Sequence, residues 1–542
     1  MRLTLLLWLS ISLLALQAVG QPTPTGTIKE AEFIIEKEKK NRLPESARLF
    51  EKAPLPTHVT DSAAALQYDV REITPELDTL QLKIKILKAK QELITRLYSN
   101  YVRGGYGNFH TPYLAGYFDN KRDPKHAYGF HLGHLSEGKG GYAEECHNTV
   151  QLHGKLFTKA LRLDGAVRYN WDKYPLSKDG TSASSDPDKA QKFHQIHLQS
   201  TLANYLQDRF NYQAHIYLAH LRDAQKAHEH QGGVSGAIDY VINDDFTLKA
   251  ITDLYLTQYK NTTTVNRHLE RLRPTLGFLL NDWSIQVGFS LVYQSDSSEL
   301  VNHFNAYPVL AVNYALHKRL RPYVGIEGDI QRASWQEFVA ENPWLAPNPD
   351  LRHTNQHFVF YGGARGDITA KVALHTGVSI GSYKNFYCFV NDPAEPRQFA
   401  IQYDPATTLF NIFSELAHTN RAETFTTRLR GDYFHYTLQQ LPKPWHRPRY
   451  QLELLSTYNL YNKMLCKGTL YWLGGIEALD VTTQTAKPLA DVVDLGLGID
   501  YWWSQRSTIF LNCQNLLARA NVRYLNAPTG GFHFLLGLSY AW

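Results

Sequence analysis

The sequence predicts an all-β protein: a transmembrane antiparallel β-barrel of about 18 strands (range 14 to 22), led by a short irregular periplasmic segment. Three observations predict it. Apolar and polar residues alternate with a period of two, over and over, beyond residue 104. Several of these segments run for about 10 to 13 residues, longer than the usual soluble strand and long enough to cross a bilayer obliquely. The chain also closes on an alternating apolar run that ends in Trp542.

The leading residues place the chain outside the cytoplasm. Met1 and Arg2 precede an apolar run from Leu3 to Leu16, and Ala18-Val19-Gly20 supplies small residues for cleavage. Residues 1–20 are therefore expected to be a secretory signal peptide, cut after Gly20. No cysteine follows that cut, so no lipid anchor is expected. Residues 21–103 are broken by Pro22, Pro24, Pro44, Pro54, Pro56 and Pro75, and no glycine occurs from Thr27 to Arg103. This stretch is read as a periplasmic lead, and residues 104–542 as the barrel.

Within the barrel region, Trp283, Ile285, Val287, Phe289, Leu291 and Tyr293 share one face, with Ser284, Gln286, Gly288 and Ser290 on the other. Leu161 to Trp171, Phe210 to Leu218, Val324 to Ile330, Val372 to Ile380, Leu452 to Leu460 and Val493 to Tyr501 repeat the pattern. Rings sit at strand ends, as in Tyr169 and Trp171, Trp283 and Tyr293, and Tyr501 to Trp503, where they suit membrane interfaces. Backbone groups in lipid must all be paired, so many long strands imply closure. Asn281-Asp282 is expected to be a short periplasmic turn, and 172–192, 333–353 and 383–420 to be long outward-facing loops.

The polar face holds the candidate functional residues. Arg162, Asp164, Arg168, Glu327, Asp329, Arg428, Arg430, Asp494 and Asp500 are expected to line the lumen, with His375 and Glu477 also at polar positions. They either tune permeation or pair with one another and fill the interior. His228-Glu229-His230 is read as a loop, either metal-binding or simply solvated; His131 and His134 fall on opposite faces of one strand. No metal site and no cofactor is expected. The four cysteines show neither CxxC nor zinc spacing. A net charge of +5 on 542 residues is too nearly neutral for a nucleic-acid binder. No GxSxG, HExxH or Walker pattern is present, so an enzyme is not expected.

The segments Glu32 to Lys37 and Leu43 to Lys52, then Gly105 to Tyr113 and Gly129 to Ser136, resemble the lead and first hairpin of Bacteroidota outer-membrane barrels described as TonB-dependent-receptor-like. Asn515-Leu516-Leu517 and the following Gly-rich turn resemble the end of TonB-dependent receptor barrels. The alternating Phe532, Phe534, Leu536, Leu538, Tyr540 and Trp542 resemble the terminal signal read by the barrel-assembly machinery. One departure matters: about 80 Pro-rich residues stand where such receptors carry a globular plug. The resemblance implies an outer-membrane location, with membrane lipid and the assembly machinery as partners. The expected function is a channel or receptor-like transporter for small solutes. The alternative is an accessory barrel docking a periplasmic or surface protein, with a barrel hydrolase behind both.

Overall fold

The computed structural model describes residues 98–542 apart from 122, 139–144, 177–189, 207, 297–301 and 318. The expected signal peptide and nearly all of the lead lie outside the described residues.

Twenty-two antiparallel strands form one sheet. Each barrel strand pairs with the next along the chain, from Asn100–Gly107 to His533–Ala541, and these two strands pair with each other and close the cylinder. The strands run from 8 to 17 residues. The count reaches the top of the expected range and exceeds its centre of 18 by four. Two corrections account for part of the difference. The barrel begins at Asn100, ahead of both Pro112 and the boundary expected at residue 104. Thr407–Thr419, expected inside a loop, is a full barrel strand.

Alternation sets the two faces. In Trp283–Gln294, Gln286, Ser290, Val292 and Gln294 are buried toward the interior, while Trp283 and Tyr293 stand exposed at the two ends of the outer face. The terminal strand shows the same rule: Phe534, Leu536, Leu538 and Tyr540 all point outward, with Leu538 60% exposed. Large apolar side chains left bare around a whole molecule need a solvent other than water. Here they form the lipid-facing band. Phe304 and Tyr293, register partners, mark one edge; Trp283, Tyr461 and Trp503 mark the other.

The two rims differ as expected. Asn281-Asp282 joins its strands directly, with Asn281 in the left-handed region at φ 52°. Both barrel ends lie at this short-turn rim, where the Asn100 amide donates to the Trp542 carbonyl at 3.2 Å. The opposite rim carries residues 332–353, 385–406, 439–449, 475–491 and 515–532. These segments are folded. They hold a seven-residue helix, Trp335–Glu341, and three small hairpins, the largest pairing Phe386–Asn391 with Phe399–Asp404. A helix this short is not stable alone. Its support is a shared core: Trp335, Phe338 and Val339 pack with Phe389, Phe399, Ile401 and Tyr524 from other loops, and with Phe193, Leu221 and Tyr259 from the wall. This core is a cap built inside the long-loop rim.

Candidate functional site

The cap is tied to the barrel wall by buried polar contacts. His228-Glu229-His230 opens the strand His228–Val241 rather than forming a loop, which corrects the expectation. Alternation then separates the three residues. His228 and His230 face outward beside His220, and Glu229 turns inward, completely buried. Among the described residues no group is arranged to hold a metal ion.

Glu229 accepts hydrogen bonds from the Trp335 and Gln336 amides, both at 2.9 Å, and from Gln231 Nε2 at 2.8 Å. The Glu337 amide donates to Ser334 Oγ, and the Ser334 amide donates to Glu337 Oε2 at 2.9 Å. All four free donors of the helix start are thus satisfied, two of them by a carboxylate from the wall. The strand bearing Glu229 and the strand that leads into the helix have four barrel strands between them, so this contact crosses the interior. Arg267 adds a second tie, donating to the carbonyls of Ala333 at 2.6 Å and Leu351 at 3.4 Å.

Inside the cap, Arg447 is a central strut. Its Nη1 donates to Glu341 at 3.1 Å, its Nη2 to the Tyr387 carbonyl at 3.0 Å, and its guanidinium lies over the Tyr387 ring. His446 joins two more segments: its Nδ1 lies 2.8 Å from the Phe389 carbonyl, and its Nε2 accepts from the Leu525 amide at 3.2 Å. These partners require the neutral ring with the proton on Nδ1. Burial, opposed by the Phe389 carbonyl and helped by Arg447, holds the His446 pKa down at about 4. Asp404 accepts from Thr407 Oγ1 and from the amides of Gln439, Gln440 and Leu441. Burial alone raises its pKa, but these donors outweigh it and leave the carboxyl below its ordinary value.

Below the cap, alternation turns all nine expected lumenal charges toward the interior. Leu163, Val167, Val324, Leu429 and Leu497 stand exposed on the outer face of the same strands. Most find partners. Arg162 pairs with Asp164 at 2.9 Å, Arg428 with Glu453 at 3.9 Å, and Arg430 with Asp432 at 2.8 Å. Asp500 holds Arg103 at 3.1 Å and Lys467 at 2.6 Å. Asp329 holds Arg273 at 2.6 Å and Arg271 at 2.9 Å, and Arg271 also reaches Asp253 at 3.0 Å. Arg168 donates to Gln151, and Asp494 accepts from the Asn515 amide. The Glu327 carboxyl forms no hydrogen bond or ion pair among the described residues. Glu477 is not on the barrel wall; it sits in a loop hairpin and pairs with Lys443 and Arg449.

Two hollows adjoin this framework on the long-loop side. One, of about 340 Å³, lies between the cap helix and the wall, lined by His197, His215, Tyr217, Gln231, Arg332 and Gln336. The other, of about 380 Å³, is lined by Glu137, Glu145, His147, Asp494, Arg523 and His533. Both mix charge, imidazole and ring surface, the chemistry of a polar-solute site rather than a lipid site.

The functional residues that the sequence reading missed are the cap ties Arg267, Asp404, His446 and Arg447; Glu229 was noticed, but as part of a loop rather than as a tie. Arg271 and Arg273 were missed as well, although their alternation was visible. Helical spacing of Trp335, Phe338 and Val339 was the one local sign of the cap.

No family model matches the chain, and no curated protein matches it significantly. Solved structures do. The FrpB iron transporter from Neisseria meningitidis is similar at a TM-score of 0.64 and 7% identity, over 83% of this chain and 82% of that one. The ferric-catecholate import receptor Fiu from K12 E. coli matches at 0.60 and 9% identity, over 82% of each chain. A mutant of the ferric enterobactin receptor PfeA from Pseudomonas aeruginosa matches at 0.60 and 10% identity, over 82% of this chain and 80% of that one. At such identities the likeness shows architecture alone: over more than four fifths of its length, this chain is built as a large closed barrel of the same kind.

Proposed function

We propose that the chain is an outer-membrane, receptor-type transporter that takes up a small solute at its capped rim and passes it through the charged lumen. The observation that carries this reading is the cap: five loop segments folded into the long-loop mouth, with polar hollows beside them. A plain open pore has no need of such a structure. An apolar outer band, a charged inner wall and the similar architecture of an iron transporter and two ferric-chelate receptors support it. Ferric chelates are accordingly the first solutes to try, and no catalytic step is proposed.

The test is uptake of radiolabelled ferric catecholate and hydroxamate chelates by cells with and without this chain, together with binding to the purified protein. Saturable binding and chain-dependent uptake of one chelate support the proposal. Absence of both, with a protein co-purifying in fixed ratio, overturns it in favour of an accessory barrel.

A further inference from the structure

Near the short-turn rim, one row of inner-wall side chains crosses five strands. Arg321 lies opposite Arg365, Arg365 opposite His375, His375 opposite Glu415, and Glu415 opposite Arg430. The far end of this row is complementary, with Arg430 reaching Glu415 at 3.7 Å. The near end is not. Like charges directly opposite one another on a sheet repel, and Arg321 faces Arg365. Arg319, in the turn just before, adds a third guanidinium.

None of these three arginines forms an ion pair with a described residue. Among the described residues Arg365 donates to the neutral Asn313 side chain alone, at 3.1 Å. By contrast Arg103, Arg162, Arg271, Arg273, Arg428 and Arg430 each hold a carboxylate. In the next inner-wall row toward the rim, Asp367, Ala373, Ala417 and Arg428 lie opposite one another in turn, so its two central positions are small. With no bulk there, the wall leaves a cavity of about 400 Å³ between Arg319, Arg321, Arg365 and His375. Two carboxylates also line it. Glu415 is turned to Arg430, and Asp367 forms no ion pair among the described residues.

We propose that this cavity is an anion-binding station for a solute bearing a phosphate or pyrophosphate group. Forked guanidinium groups match phosphoryl oxygens two by two, which a neutral or singly charged solute cannot exploit as fully. A dianion or higher charge also relieves the repulsion between Arg321 and Arg365. The site lies close to the short-turn rim, so a solute crossing from the cap would meet it late in its passage. It rests on the transport reading only for that role; binding itself does not depend on it.

The test is isothermal titration calorimetry of inorganic pyrophosphate into the detergent-solubilised full chain. Saturable binding is expected, weakened about tenfold or more in R321Q/R365Q and changed less than about twofold in K487Q, an exposed position on a loop hairpin of the opposite rim. Heat-modifiable gel migration establishes that each variant is folded. If the double variant does not fold, R319Q in the turn is expected to weaken binding about threefold. No saturable binding by the parent chain, equal affinity in the folded variants, or equal loss in K487Q overturns the proposal. Pyrophosphate binding without uptake of any solute overturns the transport reading instead.

Discussion

Gly105 lies directly opposite Gly537 across the seam that closes the barrel, and the Phe510 ring covers both on the inner face. A methyl group on Gly537 would run into the Gly104 carbonyl and the Phe510 ring. Phe510 is itself held by Arg103, whose guanidinium stacks 3.7 Å from the ring centroid and pairs with Asp500. Closure thus depends on two bare backbones meeting under one aromatic ring.

The first prediction follows from that seam. Gly537→Val should destabilise the closed barrel by about 1–3 kcal/mol or more, because neither backbone nor ring has space to yield. Heat-modifiable gel mobility should shift toward the unfolded position at a lower temperature. Leu538→Val, on the lipid face of the same strand, should leave it nearly unchanged.

A second concerns Glu229. Replacing it with alanine strands two buried helix donors, at a cost of about 1–3 kcal/mol each. The expected result is selective opening of the cap. Protease cleavage within residues 332–353 should rise severalfold while the barrel stays folded. Equal cleavage in parent and variant would show that Glu229 does not hold the cap.

His446 makes the cap acid-sensitive. Its folded pKa, about 4, lies below the ordinary value near 6.5, so the folded cap binds the proton less readily than the opened one. Above pH 6.5 both states are neutral and nothing is lost. As pH falls from 6.5 to about 4, opening becomes easier by up to about 3 kcal/mol, and below that range the loss levels off. The protection factors of amides in 439–449, measured against intrinsic exchange at each pH, should therefore fall between pH 7 and 5. His446→Gln should flatten that dependence.

Arg447 gives the fourth prediction. Arg447→Met leaves the part-buried Glu341 carboxylate with the Tyr387 hydroxyl but without its cation, and should loosen the cap by about 1–3 kcal/mol. Replacing both residues, as Arg447→Met with Glu341→Met, should restore much of that loss, since an apolar pair replaces a desolvated ionic one. Amide exchange in 335–341 and 386–404 reads both effects.

How much was legible in the sequence depended on whether one face stayed apolar. Trp283 to Tyr293 alternates cleanly, so its orientation could be read. Thr407–Thr419 could not, because its inner face carries Leu409 and Phe413 among Asn411 and Glu415, and apolar residues on both faces blur a period of two. Phe413 is there to meet Arg430, whose guanidinium lies 4.8 Å from the ring centroid. The nine lumenal charges were legible as a face, but their partners were not, since Asp329 and Arg271 come together across two intervening strands. The cap was least visible. Glu229 and Trp335 lie more than a hundred positions apart, and nothing local to either announces the contact.

The central claim is that outer-face and inner-face residues meet different solvents. Nitroxide labels placed singly along Trp283–Gln294 in the reconstituted protein test it most directly. The account predicts collision with oxygen, rather than with a water-soluble nickel chelate, at Ile285, Val287, Phe289 and Leu291, and reduced oxygen collision at Gln286, Ser290 and Val292. The same collision profile at all seven positions, or a reversed alternation, would contradict it.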